Sequence, residues 1–398
     1  MAKNIFIAAT DKDVGKSTVS FALINQLLEG NYNVGFMKPI GQRWRESKWG
    51  KIEEDVILIK EIFKLKDDPN YMNPVVVNRG FTTNYLNKTI KPNLSKKILN
   101  SYQYIQKNKD FVIIEGTGHA GVGSVIDHSN ADVASLLDSK VVLMAKGGIG
   151  STIDKLELNR LFFERKGIDV IGVIINKVLR NKIDKVKKSI KKYCKKNRLR
   201  LFGIIPYSPI LGNPTLGTII EELKPVIYQE TNERNLVLND YLVVASHLKE
   251  AINIIEKRSG NLLLVIPSER LEISYAIPSF SKLKSFKNTR IFTILFSGLE
   301  KPDDNVLSIL KNQNINVLWK KGDTFSVISA LSGISIKTRP FDNFKIDEIN
   351  KIVKNNVNTK KLFKFARKAN IIYGKIGRLK RICYIIINKI KKFFKKKF

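Results

Sequence analysis

Cysteine and histidine are nearly missing from this 398-residue chain, which has only Cys194 and Cys383, His119, His128 and His247. Two thiols build neither a disulfide framework nor a four-thiolate zinc site, and the three isolated histidines have no metal-ligand spacing. A reducing cytosol is the expected location. Nowhere do about 18 apolar residues run uninterrupted, which excludes a transmembrane helix from the reading. No small-residue cleavage site follows the first apolar run, so no signal peptide is expected. Acid is scarce as well, 36 Asp and Glu against 70 Lys and Arg, for a formal charge of +34. Hydrophobic residues make up 43% of the chain, enough for two or three domains with real cores, which excludes wholesale disorder.

The positive charge is unevenly placed. Thr359 to Phe398 holds 15 Lys and Arg and no acid, and Asn176 to Arg200 holds 12 against Asp184 alone. Asn and Ile are abundant alongside Lys, the pattern that nucleotide bias in a genome produces. No nucleic-acid reading module and no basic patch interleaved with aromatics is present, so nucleic acid is not an expected partner. The lysines after Asn176 fall at helical spacing and read as a solvated helix face.

Short apolar, β-branched runs recur at Lys3 to Thr10, Asn33 to Met37, Phe111 to Ile114, Val141 to Ala145, Val170 to Ile175 and Leu201 to Ile205, with polar or helical segments between them. That rhythm predicts an α/β fold with a mostly parallel sheet covered by helices on both faces. The polar stretch Gln229 to Asn235 reads as a linker. A second alternation follows, with strands expected at Tyr241 to Ala245, Asn261 to Ile266, Thr289 to Phe296 and Ile315 to Trp319, and a closing helix from Lys345 into Asn355. The expected domains are therefore 1–228, 236–357 and a basic tail, 359–398.

The segment Ala9-Thr10-Asp11-Lys12-Asp13-Val14-Gly15-Lys16-Ser17-Thr18 lies between the first strand and a segment, Ser17 to Leu28, with helical apolar spacing. Backbone N–H groups of such a loop curl around phosphate oxygens. Gly15 permits close approach, Lys16 supplies a cation, and the Ser17 hydroxyl can ligate magnesium. The glycine that usually opens a phosphate loop is replaced here by Ala9 and Thr10. Glu115 follows a strand, where a carboxylate opens onto the ligand crevice and suits magnesium or its water shell. Asp55 opens an apolar helix, a position that also favours acids on dipole grounds alone.

The loop resembles the dethiobiotin synthetase group of P-loop proteins, and more closely the dethiobiotin-synthetase-like N-terminal region of long phosphate acetyltransferases. Further matching stretches are Gly35 to Gly41, Glu54-Asp55-Val56, Arg79 to Thr82, Glu115 to Gly121, Asn130 to Ala134, Gly147 to Ser151 and Asn176-Lys177, covering about residues 1–223. The resemblance implies ATP and Mg2+ as cofactors. Asp13, Val14, Gly15, Lys16, Ser17, Thr18 and Asn176 would contact the nucleotide, Asn176 at the base. Ser17, Asp55 and Glu115 would hold the metal, and Lys16 with Lys38 would clamp developing negative charge beside a small carboxylate ligand. A homo-oligomer is expected by analogy with related P-loop domains.

Residues 237–345 resemble the DRTGG domain at Val265 to Arg270, Ser297 to Pro302 and Gly322 to Val327, although the naming motif is not intact. The acetyltransferase catalytic domain has no counterpart in these 398 residues, and acetyl phosphate synthesis is not expected. In the tail, Ile372, Ile376, Leu379, Cys383, Ile386, Ile390 and Phe393 recur every three or four residues, a basic amphipathic pattern suited to an anionic membrane surface, which would place the protein peripheral to a membrane. The function expected is a nucleotide-sensing regulatory module that binds Mg-ATP. The alternatives are an ATP-dependent ligase activating a carboxylate or carbamate, as dethiobiotin synthetase does, and a membrane-associated P-loop ATPase. Asp11 stands where the last class carries a signature lysine.

Overall fold

A computed structural model describes residues 2–90, 92–244, 246–280, 289–311, 313–334 and 336–367. The described residues form two compact units: those up to Tyr207 together with 349–367, and those within Ser208–Glu348.

The first unit contains, in chain order, β1 (Lys3–Ala9), β2 (Val34–Met37), the short β3 (Ile40–Gly41), β4 (Trp44–Ser47), β5 (Gly50–Glu53) and β6 (Val75–Val76), then β7 (Phe111–Glu115), β8 (Lys140–Lys146), β9 (Val170–Val178) and β10 (Leu201–Pro206). Six strands make an all-parallel sheet in the order β10-β9-β8-β1-β7-β2. Ile5 to Ala9 and Phe111 to Ile114 are all buried, as a parallel sheet covered on both faces requires, which is why these strands read as unbroken apolar runs. The helix Lys16–Glu29 buries Val19, Leu23, Ile24 and Leu27 and stops at Gly30, whose N–H bonds back to Gln26 and Leu27. Because every strand of this sheet is parallel, the carboxyl ends of β1, β2, β7, β8 and β9 open on one edge. The lysine-rich segment after Asn176 contains the helix Ile183–Lys196, which buries Val186, Ile190, Tyr193 and Cys194 and leaves its lysines to solvent.

The second unit carries β11 (Val226–Gln229), β12 (Asp240–Val243), β13 (Gly260–Pro267), β14 (Thr289–Gly298) and β15 (Asn316–Lys321), in the order β11-β15-β14-β13-β12. Only β11 is antiparallel. Period-two alternation sends Leu262, Leu264 and Ile266 into one core with Ile273, Ile294 and Phe296, while Leu263 and Val265 face the other with Ile219, Phe292 and Leu295.

The seams between the units fall elsewhere than the composition indicated. The helix Leu216–Leu223 and β11, read from composition as the end of the first domain, belong to the second unit, because Leu216, Ile219 and Leu223 pack in its core and β11 pairs with β15. The described residues from 349 to 367 belong to the first. Val357 bridges to Gly203, and Leu362 and Ala366 of the helix Thr359–Arg367 are buried there. The amphipathic positions from Ile372 to Phe393 lie outside the described residues. Among the described residues, no helix is long and apolar enough to cross a membrane.

Candidate functional site

The parallel sheet brings Val14, Gly15, Lys16, Ser17, Lys38, Glu115 and Asn176 to its carboxyl edge. The loop after β1 continues the sheet for one bond, Thr10 N–H to Met144 O at 2.8 Å, and then turns. Asp13 takes a left-handed φ of 53° and Gly15 a φ of 101°. The left-handed φ favours glycine at position 15, and a Cβ there would lie 2.2 Å from Asn176 Nδ2, so that the amide holding the loop would have to shift. Asn176 spends its amide on the loop: Nδ2 donates to Val14 O at 2.8 Å, and Oδ1 accepts from Lys177 N. Lys177 Nζ donates to Asp13 O at 2.8 Å, and Lys155 pairs with Asp11 at 2.7 Å. These contacts pin the loop to β9 and to the helix Gly150–Arg165. Thr18 follows in the first turn of the helix Lys16–Glu29.

Lys16 is nearly buried and donates to Gly118 O at 3.2 Å. Burial pulls its pKa below the usual lysine value, with Glu115 opposing. Ser17 Oγ donates to Glu115 Oε1 at 2.9 Å. Glu115 is 1% exposed, and its Oε2 is buried without a hydrogen-bond partner among the described residues. Burial pushes its carboxyl up, against the pull of Lys38.

Lys38, the first residue past β2, is held by carboxylates. Its Nζ lies 2.9 Å from Glu53 Oε1 and 3.3 Å from Glu115 Oε1, and it pairs closely with Asp55. Burial alone would lower its pKa, yet Asp55, Glu115 and Glu53 outweigh burial and hold it well above the lysine norm. Asp55 reaches this cluster because it stands in the first turn of the helix Glu54–Phe63, directly after β5.

Glu53 escaped the sequence reading. It ends β5, is 2% exposed, accepts Arg43 N–H at 2.8 Å, and its own N–H is held by Asn73 Oδ1. The acidic run Glu53-Glu54-Asp55 carried the signal, but not which members turn inward. Asn130 was likewise unassigned. Its amide accepts from Thr117 N and donates to Thr117 O and His119 O, bracing the glycine-rich loop after Glu115. His119 accepts through Nδ1 from Gly121 N at 3.2 Å, a contact within that loop.

The assembled chemistry is a cluster of three buried carboxylates around Lys38, an orphaned carboxylate oxygen on Glu115, and a second buried ammonium, Lys16, at the loop. Among the described residues, no group of three or more His, Cys, Asp or Glu is placed to cage a metal ion. Mg2+ in phosphate sites needs no such cage, because water and phosphate oxygens complete its shell.

Two domain families match the sequence in turn. Residues 3–215 match the AAA domain family AAA_26, and residues 218–334 match the DRTGG domain. The phosphate acetyltransferase of Nitratidesulfovibrio vulgaris is 25% identical over 359 residues, covering 87% of this chain and 49% of that protein. That of Synechocystis is 20% identical over 373 residues, or 92% of this chain and 52% of the relative. The chain thus spans about half the length of these relatives. The ATP-dependent dethiobiotin synthetase of Methanocaldococcus jannaschii is 31% identical over 177 residues, 43% of this chain and 78% of that protein.

Proposed function

Because the chain belongs to the AAA domain family AAA_26 and carries a DRTGG domain behind it, we propose that it is a nucleotide-sensing regulatory module that binds Mg-ATP in its first unit. The observation carrying this reading is the junction of Ser17 Oγ, Glu115 and Lys38 under the loop, with Glu115 Oε2 left unpartnered in a buried place. An orphaned buried carboxylate oxygen beside a hydroxyl is costly unless a cation answers it. The residues therefore fit a magnesium–nucleotide complex: Ser17, with Glu115 and Asp55 directly or through water, would hold the ion, and its charge would neutralise phosphate oxygens. The loop N–H groups from Asp13 to Thr18, with Lys16, would take the phosphates. Asn176, whose amide is engaged by Val14 O and Lys177 N, would act on the nucleotide mainly by fixing the loop.

Sensing is supported by the DRTGG domain that follows the first unit. The second reading is an ATP-dependent ligase. It is favoured by the same residues, since Lys38, Asp55 and Glu115 gather where a carboxylate or carbamate could meet a phosphoryl donor.

Phosphate release separates the two. With Mg-ATP alone, and with 7,8-diaminononanoate and bicarbonate added, a sensor shows the same negligible rate. Stimulation by those substrates, abolished in Lys38→Met, would establish the ligase.

A further inference from the structure

The function proposed for the first unit leaves its most strongly charged element unused. The helix Ile183–Lys196 carries seven exposed lysines against one acid, Asp184. Its apolar side is fixed, with Val186, Ile190, Tyr193 and Cys194 buried. On the opposite side Lys185, Lys188, Lys192 and Lys195 follow one another at intervals of three, four and three residues, a row about 15 Å long. Arg180 and Lys182 precede the row and Arg198 follows it, all exposed. The helix Thr359–Arg367 adds Lys360, Lys361 and Lys364 beside the start of β10, the strand into which the lysine helix leads. There Asn358 N–H donates to Phe202 O at 2.8 Å, and the Arg200 guanidinium sits 3.7 Å over the Phe365 ring.

Lysines three and four residues apart on a helix repel one another. The helix Gly150–Arg165, joined to this one by Tyr193 OH and Glu157 Oε2 at 2.7 Å, answers its Arg160 with Glu157 and Glu164. No ion pair answers the four lysines of the row among the described residues. A polyanion supplies the missing charge. An anionic bilayer would also draw on apolar side chains, and from Arg180 to Arg200 no large hydrophobic residue is exposed. A single nucleic-acid strand would draw on aromatic platforms, whereas Tyr193 is turned inward and Arg200 covers Phe365. A duplex asks only for cations on a rigid line, since 15 Å of its axis carries about nine phosphates.

We propose that the lysine face of the helix Ile183–Lys196 binds the phosphate backbone of double-stranded DNA without regard to base sequence. Lysine is a point charge that suits phosphate oxygens and lacks the planar fork that reads a base edge. Contact of this kind needs no reading module, so the sequence shows none.

The test is fluorescence anisotropy of the full chain with a short labelled DNA duplex. The expected dissociation constant is below about 100 µM at physiological salt, rises steeply with added salt, and is the same on a duplex of unrelated sequence. The full chain carrying Lys188→Gln, Lys192→Gln and Lys195→Gln is expected to bind at least about tenfold more weakly, with the log–log salt slope reduced by about three. Lys66→Gln, Lys96→Gln and Lys97→Gln remove the same charge from exposed positions on other elements and are expected to weaken binding by less than about threefold. Both variants should keep the original Mg-ATP titration. Absence of binding, a row variant that binds like the original, or a control variant that loses as much overturns the proposal. So does a single strand of equal length that binds more tightly than the duplex, or anionic vesicles that bind through the row while the duplex does not.

Discussion

Replacing Lys38 with methionine removes the ammonium from between Glu53, Asp55 and Glu115 and leaves buried carboxylates facing one another. The expected loss is about 3–5 kcal/mol at pH 7.5, the range for breaking a buried ion pair from one side. Without Lys38, the Glu115 carboxyl, which burial already pushes up, titrates further above its unfolded value. The folded state then holds protons that the unfolded state releases, so stability is retained at low pH and lost as pH rises through the folded values. Urea melts should show a clearly smaller defect at pH 5 than at pH 7.5, and equal defects would contradict the assignment of the cluster. At Gly15, alanine must place a Cβ against Asn176 Nδ2 in a left-handed backbone. Gly15→Ala should weaken Mg-ATP binding by at least about tenfold in calorimetry. Lys16, Ser17, Lys38 and Glu115 could be picked out as candidates because the phosphate-loop pattern and the strand ends announce themselves in apolar runs. Glu53 could not, since its inward turn depends on the β4–β5 hairpin, whose strands are four residues long and half exposed.

Among the elements, the helix Asn343–Asn356 carries an oddity in Lys345, fully buried with Nζ lacking a hydrogen-bond partner among the described residues. Burial brings its pKa down from 10.5 to about 8, with Asp342 opposing. A depressed lysine binds fewer protons folded than unfolded between those values, so stability should rise from pH 8 toward 10.5. Lys345→Met should raise stability at pH 7.5 by up to about 3 kcal/mol and flatten that rise, as denaturant melts at pH 7.5 and 10 would show. Leu362, also fully buried, tests the returning helix. Leu362→Ala should cost about 2–5 kcal/mol in the unfolding of the first unit while sparing the second. The six core strands and the four parallel strands of the second sheet were readable as apolar runs. β3 and β6, two residues each, have no period to read, and no local pattern tells a helix such as Thr359–Arg367 which sheet it will cover.

At the scale of the molecule, a parallel sheet places a phosphate loop, two lysines and three carboxylates at one edge, and a second sheet of different topology follows in its own compact unit. The division at Tyr207 and Glu348 differs from the compositional one because non-local pairing, β11 on β15 and Val357 on Gly203, decides membership. The central claim is that the first unit binds Mg-ATP through Lys16 and the loop around it. Calorimetric titration of the full chain with Mg-ATP, beside Lys16→Ala of matched thermal stability, tests it most directly. The account predicts saturable one-site binding by the original chain and a loss of at least about tenfold in the variant. Equal affinity in the two proteins, or no heat of binding in either, would contradict it.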